Sequence, residues 1–373
     1  MTKDNLYVDI HVLQTIPSSN INRDDTGSPK TAIYGGTMRS RVSSQSWKRA
    51  VRLGFNADSK DEDWLKGYRT KRSADLLAKE LMKLNDDLDF GDALKDAKDA
   101  LSKMGLKFDK AKKSDPNDDK DYETKVLLFF SPGQLGKFAK YIQDHDEIDK
   151  KDAMKILNDN QSLDLALFGR MVADDPELNV DASCQVAHAI STHEITPEFD
   201  YFTAVDDKQK DNESGSAMLG TLEYNSSTLY RYANVNVNEL EHNLGTTLAI
   251  KGLEEFIKNF ALTMPTGHQN SYANKTNPQY LMVSIRKDTP VNLVSAFETP
   301  VRSRDGYIIK SIRKLEDEYK KMTKWVEAPV KTIIVTDEDE VSEVGEKTEK
   351  ISDLINKISS IVNERLKDEN ADN

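Results

Sequence analysis

The stretch LYVDIHVL at residues 6–13 predicts a β-strand and sets the fold class. Leu6, Val8, Ile10 and Val12 alternate onto one face, as expected for a strand with one buried side. Residues 228–237 alternate in the same way, with one apolar and one polar-aromatic face, which favours a half-covered sheet. Strand patterns recur at 281–285, 291–297 and 330–335, and helical patterns at 68–82, 131–142, 238–262, 309–326 and 351–362. Strands therefore alternate with helices at both ends of the chain, which predicts an α+β sheet domain with expanded connections, including a long loop over 14–42.

Bulk composition limits the class of protein. Of the 373 residues, 37% are hydrophobic and 31% are charged, as expected for a globular chain. We expect no signal sequence at the N-terminus, no transmembrane helix, and a reducing cytoplasm as the location, since Cys184 is the only cysteine. We expect no structural zinc site, because the chain has one cysteine and six scattered histidines. A net charge of −12 argues against nucleic-acid binding if the charge is evenly spread.

The charge is not evenly spread. No acidic residue occurs from Thr26 to Ala57, whereas that stretch contains Lys30, Arg39, Arg41, Lys48, Arg49 and Arg52. A second acid-free stretch runs from Phe256 to Lys287 and includes the sequence GHQNSY at 267–272. An anionic partner would meet the least repulsion at these two stretches.

The first acid-free stretch contains a predicted helix start. Ser43 or Ser44 suits the N-cap position, and the N–H groups of the first turn can bind phosphate. Gln45 adds a neutral donor, and Lys48 and Arg52 share one helix face at a spacing of four residues. A solvated basic helix face remains the alternative. A phosphate-metabolite enzyme is a further alternative, although the chain lacks the glycine-rich phosphate loop that ends in Lys-Ser or Lys-Thr.

Several short motifs follow one another along residues 10–272: IHVL at 10–13, NRDD at 22–25, IYGG at 33–36, RVSSQSWKRA at 41–50, LFGRM at 167–171, CQVAHA at 184–189, YFTAVDD at 201–207, YRYAN at 230–234 and MPTG at 264–267. In this order they resemble the CasC family, the repeated crRNA-binding backbone subunit of type I-E CRISPR Cascade, an antiviral ribonucleoprotein. The regions 57–160 and beyond 300 match this pattern less closely.

The resemblance implies a hand-shaped protein. It predicts a modified ferredoxin-like or RRM palm at residues 1–56, 185–194 and 228–373, a helical fingers insertion at 57–184, and a β-hairpin thumb at 195–227. Copies would form a helical filament head to tail on the crRNA and kink it at regular intervals. They would present the intervening bases to a target DNA strand, alongside the small, large and end-capping Cascade subunits.

The resemblance also implies particular RNA contacts. Predicted guide-backbone contacts fall on Arg23, Arg41, Ser43, Gln45, Lys48, Arg49 and Arg52, and on His268, which stands where many members have lysine. Predicted thumb and kink positions are Phe202 and Thr203, with Met171 reaching them from a neighbouring copy. Tyr230 and Tyr232 could alternatively stack on bases, as on an RRM sheet.

The family is not enzymatic, so we expect no catalytic residue, no metal and no cofactor. The alternative is a metal-dependent ribonuclease of a related CRISPR effector that uses Asp24 or Asp25, because paired carboxylates can bind Mg²⁺. His188, His193 and Glu194 have a spacing that occurs in metal sites, but structural histidines are the simpler interpretation.

Overall fold

A computed structural model describes residues 5–58, 63–110, 122–172, 175–204, 218–338 and 344–371. The chain divides into two compact units. Unit 1 comprises residues 1–51, 186–234 and 256–373, and unit 2 comprises residues 52–185 and 235–255.

The described elements are both strands and helices, which confirms the predicted α+β class. The strands are β1 Tyr7–Ser19, β2 Thr31–Tyr34, β3 Thr37–Val42, β4 Tyr68–Thr70, β5 Phe108–Lys110, β6 Tyr122–Thr124, β7 Leu128–Phe130, β8 Cys184–Val186, β9 Ala189–Ser191, β10 Glu198–Ala204, β11 Met218–Asn236, β12 Tyr280–Arg286, β13 Lys331–Thr336 and β14 Glu346–Lys347. The α-helices are α1 Ser44–Asp58, α2 Ser73–Leu84, α3 Phe90–Lys103, α4 Pro132–Asp144, α5 Lys150–Asn158, α6 Leu163–Phe168, α7 Val237–Leu244, α8 Thr246–Leu262, α9 Gln269–Tyr272, α10 Ile308–Met322 and α11 Ile351–Ala371. Short 3-10 helices lie at Pro176–Leu178 and Leu293–Phe297.

Several element predictions were wrong in detail. The predicted loop over 14–42 contains the end of β1 and the antiparallel pair β2–β3. The predicted strand at 291–297 is a 3-10 helix, which begins after Asn292 caps the N–H of Val294. The predicted helix over 238–262 is two helices, because Gly245 ends α7 with a φ of 76°, a conformation that glycine adopts readily.

The central sheet belongs to unit 1. Its strand order is β14-β13-β12-β1-β11-β9-β3-β2, and β10 pairs with β11 outside that path. The long strand β1 pairs antiparallel with β12, from Tyr7 opposite Arg286 to Leu13 opposite Tyr280. Strand β12 pairs antiparallel with β13 on its other side. The predicted first strand thus lies in the middle of the sheet.

Both faces of this sheet are covered. Leu229 of β11 joins a cluster with Trp47 of α1, and the next residue, Tyr230, joins a second cluster with Ile312 and Leu315 of α10. Since successive strand residues point to opposite faces, α1 and α10 cover opposite sides. The prediction of a half-covered sheet was therefore wrong.

Base stacking on the two sheet tyrosines is excluded by their burial. The Tyr230 side chain is 2% exposed and its hydroxyl contacts His11 and Asn292. Tyr232 is 5% exposed and donates to Asp9 Oδ1 at 2.7 Å. Both rings pack in the interior of unit 1.

Unit 2 is a mostly helical body with its own core, lined by α2, α3, α4 and α5. Helix α4 starts with a capping box, in which Ser131 accepts from the Gln134 N–H and the Gln134 side chain accepts from the Ser131 N–H. Arg170 is 4% exposed and donates to the carbonyls of Leu178 and Leu157 at 2.6 and 2.9 Å. This arginine of the LFGRM motif therefore stabilises the unit from within.

We expect a histidine of β1 to make the fold sensitive to acid. His11 is 2% exposed, and burial, followed by the charge of Arg286, lowers its pKa to about 3. The folded protein keeps the ring neutral, whereas the unfolded chain binds a proton near pH 6.5, so the stability present above that pH is lost as the pH falls toward 3. The thermal midpoint should fall between about pH 7.5 and pH 5, and less so in His11→Gln.

Comparing wild type with His11→Gln isolates the contribution of His11 to the pH dependence of the thermal midpoint. Asp9, whose pKa burial raises to about 7, responds to pH in the opposite sense and is present in both. Parallel curves of midpoint against pH for wild type and His11→Gln would contradict the assignment.

Candidate nucleic-acid interface

The short segment Asn20–Arg23, which follows β1, organises the candidate interface in unit 1. The backbone oxygen of Asn22 accepts from the Lys30 N–H at 2.9 Å, and its side-chain Oδ1 accepts from the Ser43 N–H at 2.8 Å. Asn22 therefore joins the loop that carries Arg23 to the residue that precedes α1. Two of the predicted RNA-contact motifs, distant in sequence, become neighbours through this one side chain.

The same segment contacts the base of the ladder formed by β10 and β11. The Asn20 amide donates to the backbone oxygens of Gly27 and Glu223, both at 3.0 Å. Glu223 lies in β11 opposite Phe199. Asn20 is 1% exposed, so these hydrogen bonds are shielded from water.

A third motif, MPTG at 264–267, approaches the Asn20–Arg23 segment at Gly267. A Cβ on Gly267 would lie 2.4 Å from the backbone oxygen of Ile21, which leaves room only for hydrogen. This close approach places His268, with a φ of 48°, against the segment. The His268 ring meets Tyr272 edge to face, and its Nε2 has no hydrogen-bond partner in the described part of the protein. An RNA contact by His268 remains a prediction.

The start of α1 is capped by the protein itself. Ser43 is the N-cap, as predicted, and its Oγ accepts from the Ser46 N–H at 3.3 Å. The Ser44 N–H donates to His188 Nδ1 at 3.2 Å. The prediction that the N–H groups of the first turn are open to phosphate was therefore wrong for Ser44 and Ser46, which already have acceptors.

Two cations, Arg41 and Lys30, lie close enough to His188 to affect its pKa. Burial lowers its pKa, and the charges of Arg41 and Lys30 lower it further. Nδ1 stays unprotonated, as its bond from Ser44 requires. The exposed histidine thus marks a point where the loop, β3 and the start of α1 carry positive charge together.

The predicted contact residues differ in exposure. Arg23, Gln45 and Arg49 are exposed, whereas Arg41 and Lys48 are half-buried and Ser43 is buried. The Nε of Arg41 donates to the Thr31 oxygen at 3.1 Å. No carboxylate forms an ion pair with Arg23, Arg41 or Arg49 within the ranges that the structure describes. Their charges are therefore available to an anion.

Two basic residues of the acid-free stretch do not join this surface. Arg39 is fully buried and donates to the oxygens of Ser191 and Phe297 at 2.9 Å. Arg52, in unit 2, pairs with the buried Asp164 at 2.8 Å. The predicted RNA contact by Arg52 is therefore corrected to a structural ion pair, because its charge is already neutralised inside unit 2.

The β10–β11 ladder presents the predicted kink residues. Phe202 lies opposite Gly220 and Thr203 opposite Leu219. The Phe202 ring covers Gly220, since a Cβ there would lie 2.4 Å from the ring, and this contact leaves Phe202 half-buried. Residues 205–217 of the predicted thumb lie outside the described part of the chain. In unit 2, Met171 is 84% exposed.

Asp24 closes its own loop. Its Oδ1 accepts from Thr26 N, Thr26 Oγ1 and Ser28 N at 2.9, 2.7 and 3.0 Å. These hydrogen bonds, with that from the Thr26 side chain largest, lower the Asp24 pKa. Asp25 is exposed. Over the described ranges no three His, Cys, Asp or Glu side chains converge as a metal site would require.

The histidines with metal-like spacing have structural contacts. The Nε2 of His193 accepts from the Thr228 N–H at 3.1 Å, and its ring stacks on Tyr307 with centroids 3.7 Å apart. Glu194 provides a backbone oxygen to His193 Nδ1. His188 bonds the start of α1, as described above.

Sequence reasoning missed three residues that assemble this surface: Asn20, Asn22 and His188. Asn22 and His188 stand inside recognisable motifs, but the motifs predict no contact for Asn22, and for His188 they predict only a structural role. Each has a partner that is distant in the chain: Asn22 bonds Ser43, His188 bonds Ser44 and Asn20 bonds Glu223, at separations of 21, 144 and 203 residues, which no local pattern signals.

The fold and this surface together define an α+β protein with a clustered positive surface on an acidic chain. The chain belongs to the CT1975-like protein family, whose profile matches residues 8–359. No curated protein matches the sequence significantly.

Two solved structures are similar over almost the whole chain. A subunit of a "CRISPR RNA-guided surveillance complex, pre-nicking" is 33% identical with a TM-score of 0.85. A subunit of a "CRISPR RNA-guided surveillance complex" is 30% identical with a TM-score of 0.74. In both cases the match covers 95% of this chain and 99% of the other. Among the helices described, none has the length and apolarity to cross a membrane.

Proposed function

We propose that the chain is the backbone subunit of a type I-E CRISPR surveillance complex. In this role it binds crRNA through the phosphate backbone and presents the bases for pairing with target DNA, without catalysing a reaction. The similarity to surveillance-complex subunits over 95% of the chain supports a place in such an assembly.

The observation that carries the proposal is the convergence at Asn20–Arg23. Asn22 draws the Arg23 loop to the start of α1, and Gly267 brings the His268 loop against Ile21. Arginine side chains that hold phosphates bind any sequence, as a subunit must when base pairing alone selects the target. The predicted contacts are Arg23, Arg41, Gln45, Lys48 and Arg49, with Ser43 acting as the helix cap.

The β10–β11 ladder supports the polymerising part of the proposal. Phe199, Tyr201 and Leu219 are 66%, 64% and 59% exposed on one face of it. Thr203 shares this face with them, whereas Phe202 lies on the other face, over Gly220. Exposed apolar side chains beside Thr203 suit a wedge that unstacks a base, with Met171 of a neighbouring copy opposite. Head-to-tail contacts that do not close produce a helical filament, to which the other Cascade subunits would add in the cytoplasm.

Co-purification tests the proposal. The tagged chain, expressed with its partner subunits and a CRISPR array, should retain RNA of uniform length with a constant flank and a variable middle. Sequencing of the bound RNA is the measurement. A preparation free of RNA, or one that carries RNA of random origin, would count against the proposal.

Asn22→Ala should weaken the guide interface without unfolding the protein. Loss of the acceptor for the Ser43 N–H should lower stability by about 1 kcal/mol. Since the Arg23 loop is then less firmly held, guide affinity should fall about three- to tenfold, measured by filter binding.

Asn236→Ala is the matched control. Asn236 caps α7 by accepting from the Glu239 N–H at 3.1 Å, so the control loses a comparable hydrogen bond in unit 2. It should show a similar stability loss and unchanged guide affinity. Equal affinity losses in both variants would mean that Asn22 acts only through stability.

A further inference from the structure

Helix α10 presents a second surface of unit 1, on the opposite side of the sheet from α1. Ile312, Leu315 and Met322 are buried against the sheet, which fixes the orientation of the helix. Trp47 holds α1 against the other face. The solvent side of α10 is therefore separate from the interface at Asn20–Arg23.

The solvent side of α10 and the turn that follows it are basic. Its acidic residues are mostly engaged: Glu316 is buried against the Tyr280 hydroxyl at 2.9 Å, and Glu318 accepts from the Ser295 hydroxyl at 2.6 Å. Glu318 also pairs with Lys321 at 3.9 Å, and Asp317 is exposed. Against these acids stand exposed or half-buried cations at Lys310, Arg313, Lys314, Lys320, Lys321 and Lys324. In a chain with 64 acidic and 52 basic residues, this is a local reversal of the overall charge.

An aromatic side chain projects from the end of this basic surface. Trp325 is 88% exposed, more than any other large apolar residue in the described ranges. The backbone that carries it is held in a turn, because the backbone N–H of Trp325 donates to the Met322 oxygen at 2.9 Å and that of Lys324 donates to the Lys321 oxygen at 3.1 Å. Leaving an indole in water forgoes a large gain from burial, so its exposure beside cations indicates a ligand.

We propose that this α10 surface binds single-stranded nucleic acid other than the guide. Phosphates would lie on Arg313 and Lys324, and a base would stack on Trp325. Cations that follow a backbone, combined with an aromatic platform, are the usual means of binding single strands without sequence preference. An acidic protein partner would account for the cations but not for the exposed Trp325 indole beside them. A guide-directed complex that opens a duplex creates such a strand.

The test uses the complex as purified and a labelled oligothymidylate that cannot pair with the guide. Trp325→Ala should weaken binding about five- to a hundredfold, as expected for one stacked base. The pair Arg313→Glu with Lys324→Glu should weaken binding further and flatten its dependence on salt. The control pair Lys350→Glu with Lys367→Glu makes the same charge change at two exposed lysines of residues 344–371 and should leave binding unchanged.

Three results would overturn the inference: no binding of the oligothymidylate, equal effects in the test and control pairs, or loss of a protein subunit from the Trp325→Ala complex with oligothymidylate binding intact. The last would assign the surface to a protein partner. Guide RNA content is measured in every preparation, so a failure of guide binding at α1 is separated from a failure at α10.

Discussion

Arg231→Ala is expected to lower the free energy of unfolding by about 3–5 kcal/mol. Arg231 is 1% exposed, and its guanidinium lies 3.8 Å from the Trp47 ring centroid and 4.7 Å from that of Phe260. It donates to Gln14 Oε1 at 2.6 Å and to the Phe260 oxygen. Truncation leaves a cavity and two buried acceptors without donors. Urea denaturation followed by circular dichroism measures the loss.

The matched control is Arg302→Ala, since Arg302 is an exposed arginine of the same unit. It should change stability by less than about 0.5 kcal/mol. Arg231→Lys should fall between the two, because an ammonium cannot stack on two rings and reach both acceptors. If Arg231→Ala and Arg302→Ala lost similar stability, the guanidinium would not be what fixes α1 to the sheet.

Reversing the charge at two exposed arginines should abolish most guide binding. Arg23→Glu with Arg49→Glu should weaken crRNA affinity at least about a hundredfold at physiological salt, because two phosphate contacts become repulsive. The slope of log affinity against log salt should fall by about 1.4, or 0.7 for each lost contact with a single strand. Both residues are exposed, so the fold should be retained.

Lys83→Glu with Lys155→Glu is the control for total charge, since both lysines are exposed in unit 2. It should leave the salt slope unchanged. An equal loss of affinity in the two pairs would show that the effect comes from net charge alone. An unaltered affinity in the Arg23 and Arg49 variant would remove the proposed interface.

The residues that local patterns predicted correctly are those whose surroundings are set within a few positions. The alternation at 6–13 marks the middle strand of the sheet, and Ser43 caps the helix that the pattern predicted. The acid-free stretch Thr26–Ala57 also contains Arg49, one of the two exposed arginines of the candidate interface, whereas Arg23 lies just before it.

The predictions that were wrong concern residues whose surroundings are set by partners distant in the chain. Arg39 and Arg49 look alike in sequence, but Arg39 is buried by contacts to residues 191 and 297. Arg52 is neutralised by Asp164, 112 residues away. The pattern at 291–297 predicts a strand, but Asn292 caps a 3-10 helix there. Such outcomes depend on tertiary contacts that periodicity does not contain.

The double hydrogen bond of Asn20 has a mechanical consequence. Its one amide group donates both to the turn behind Arg23 and to the base of the β10–β11 ladder, so a shift of one relative to the other breaks at least one buried hydrogen bond. A displacement of the ladder would therefore pull on the hydrogen bond between Asn20 and Gly27 in the loop that carries Arg23. We therefore expect a ligand that displaces the ladder to change the geometry of the Arg23 loop as well.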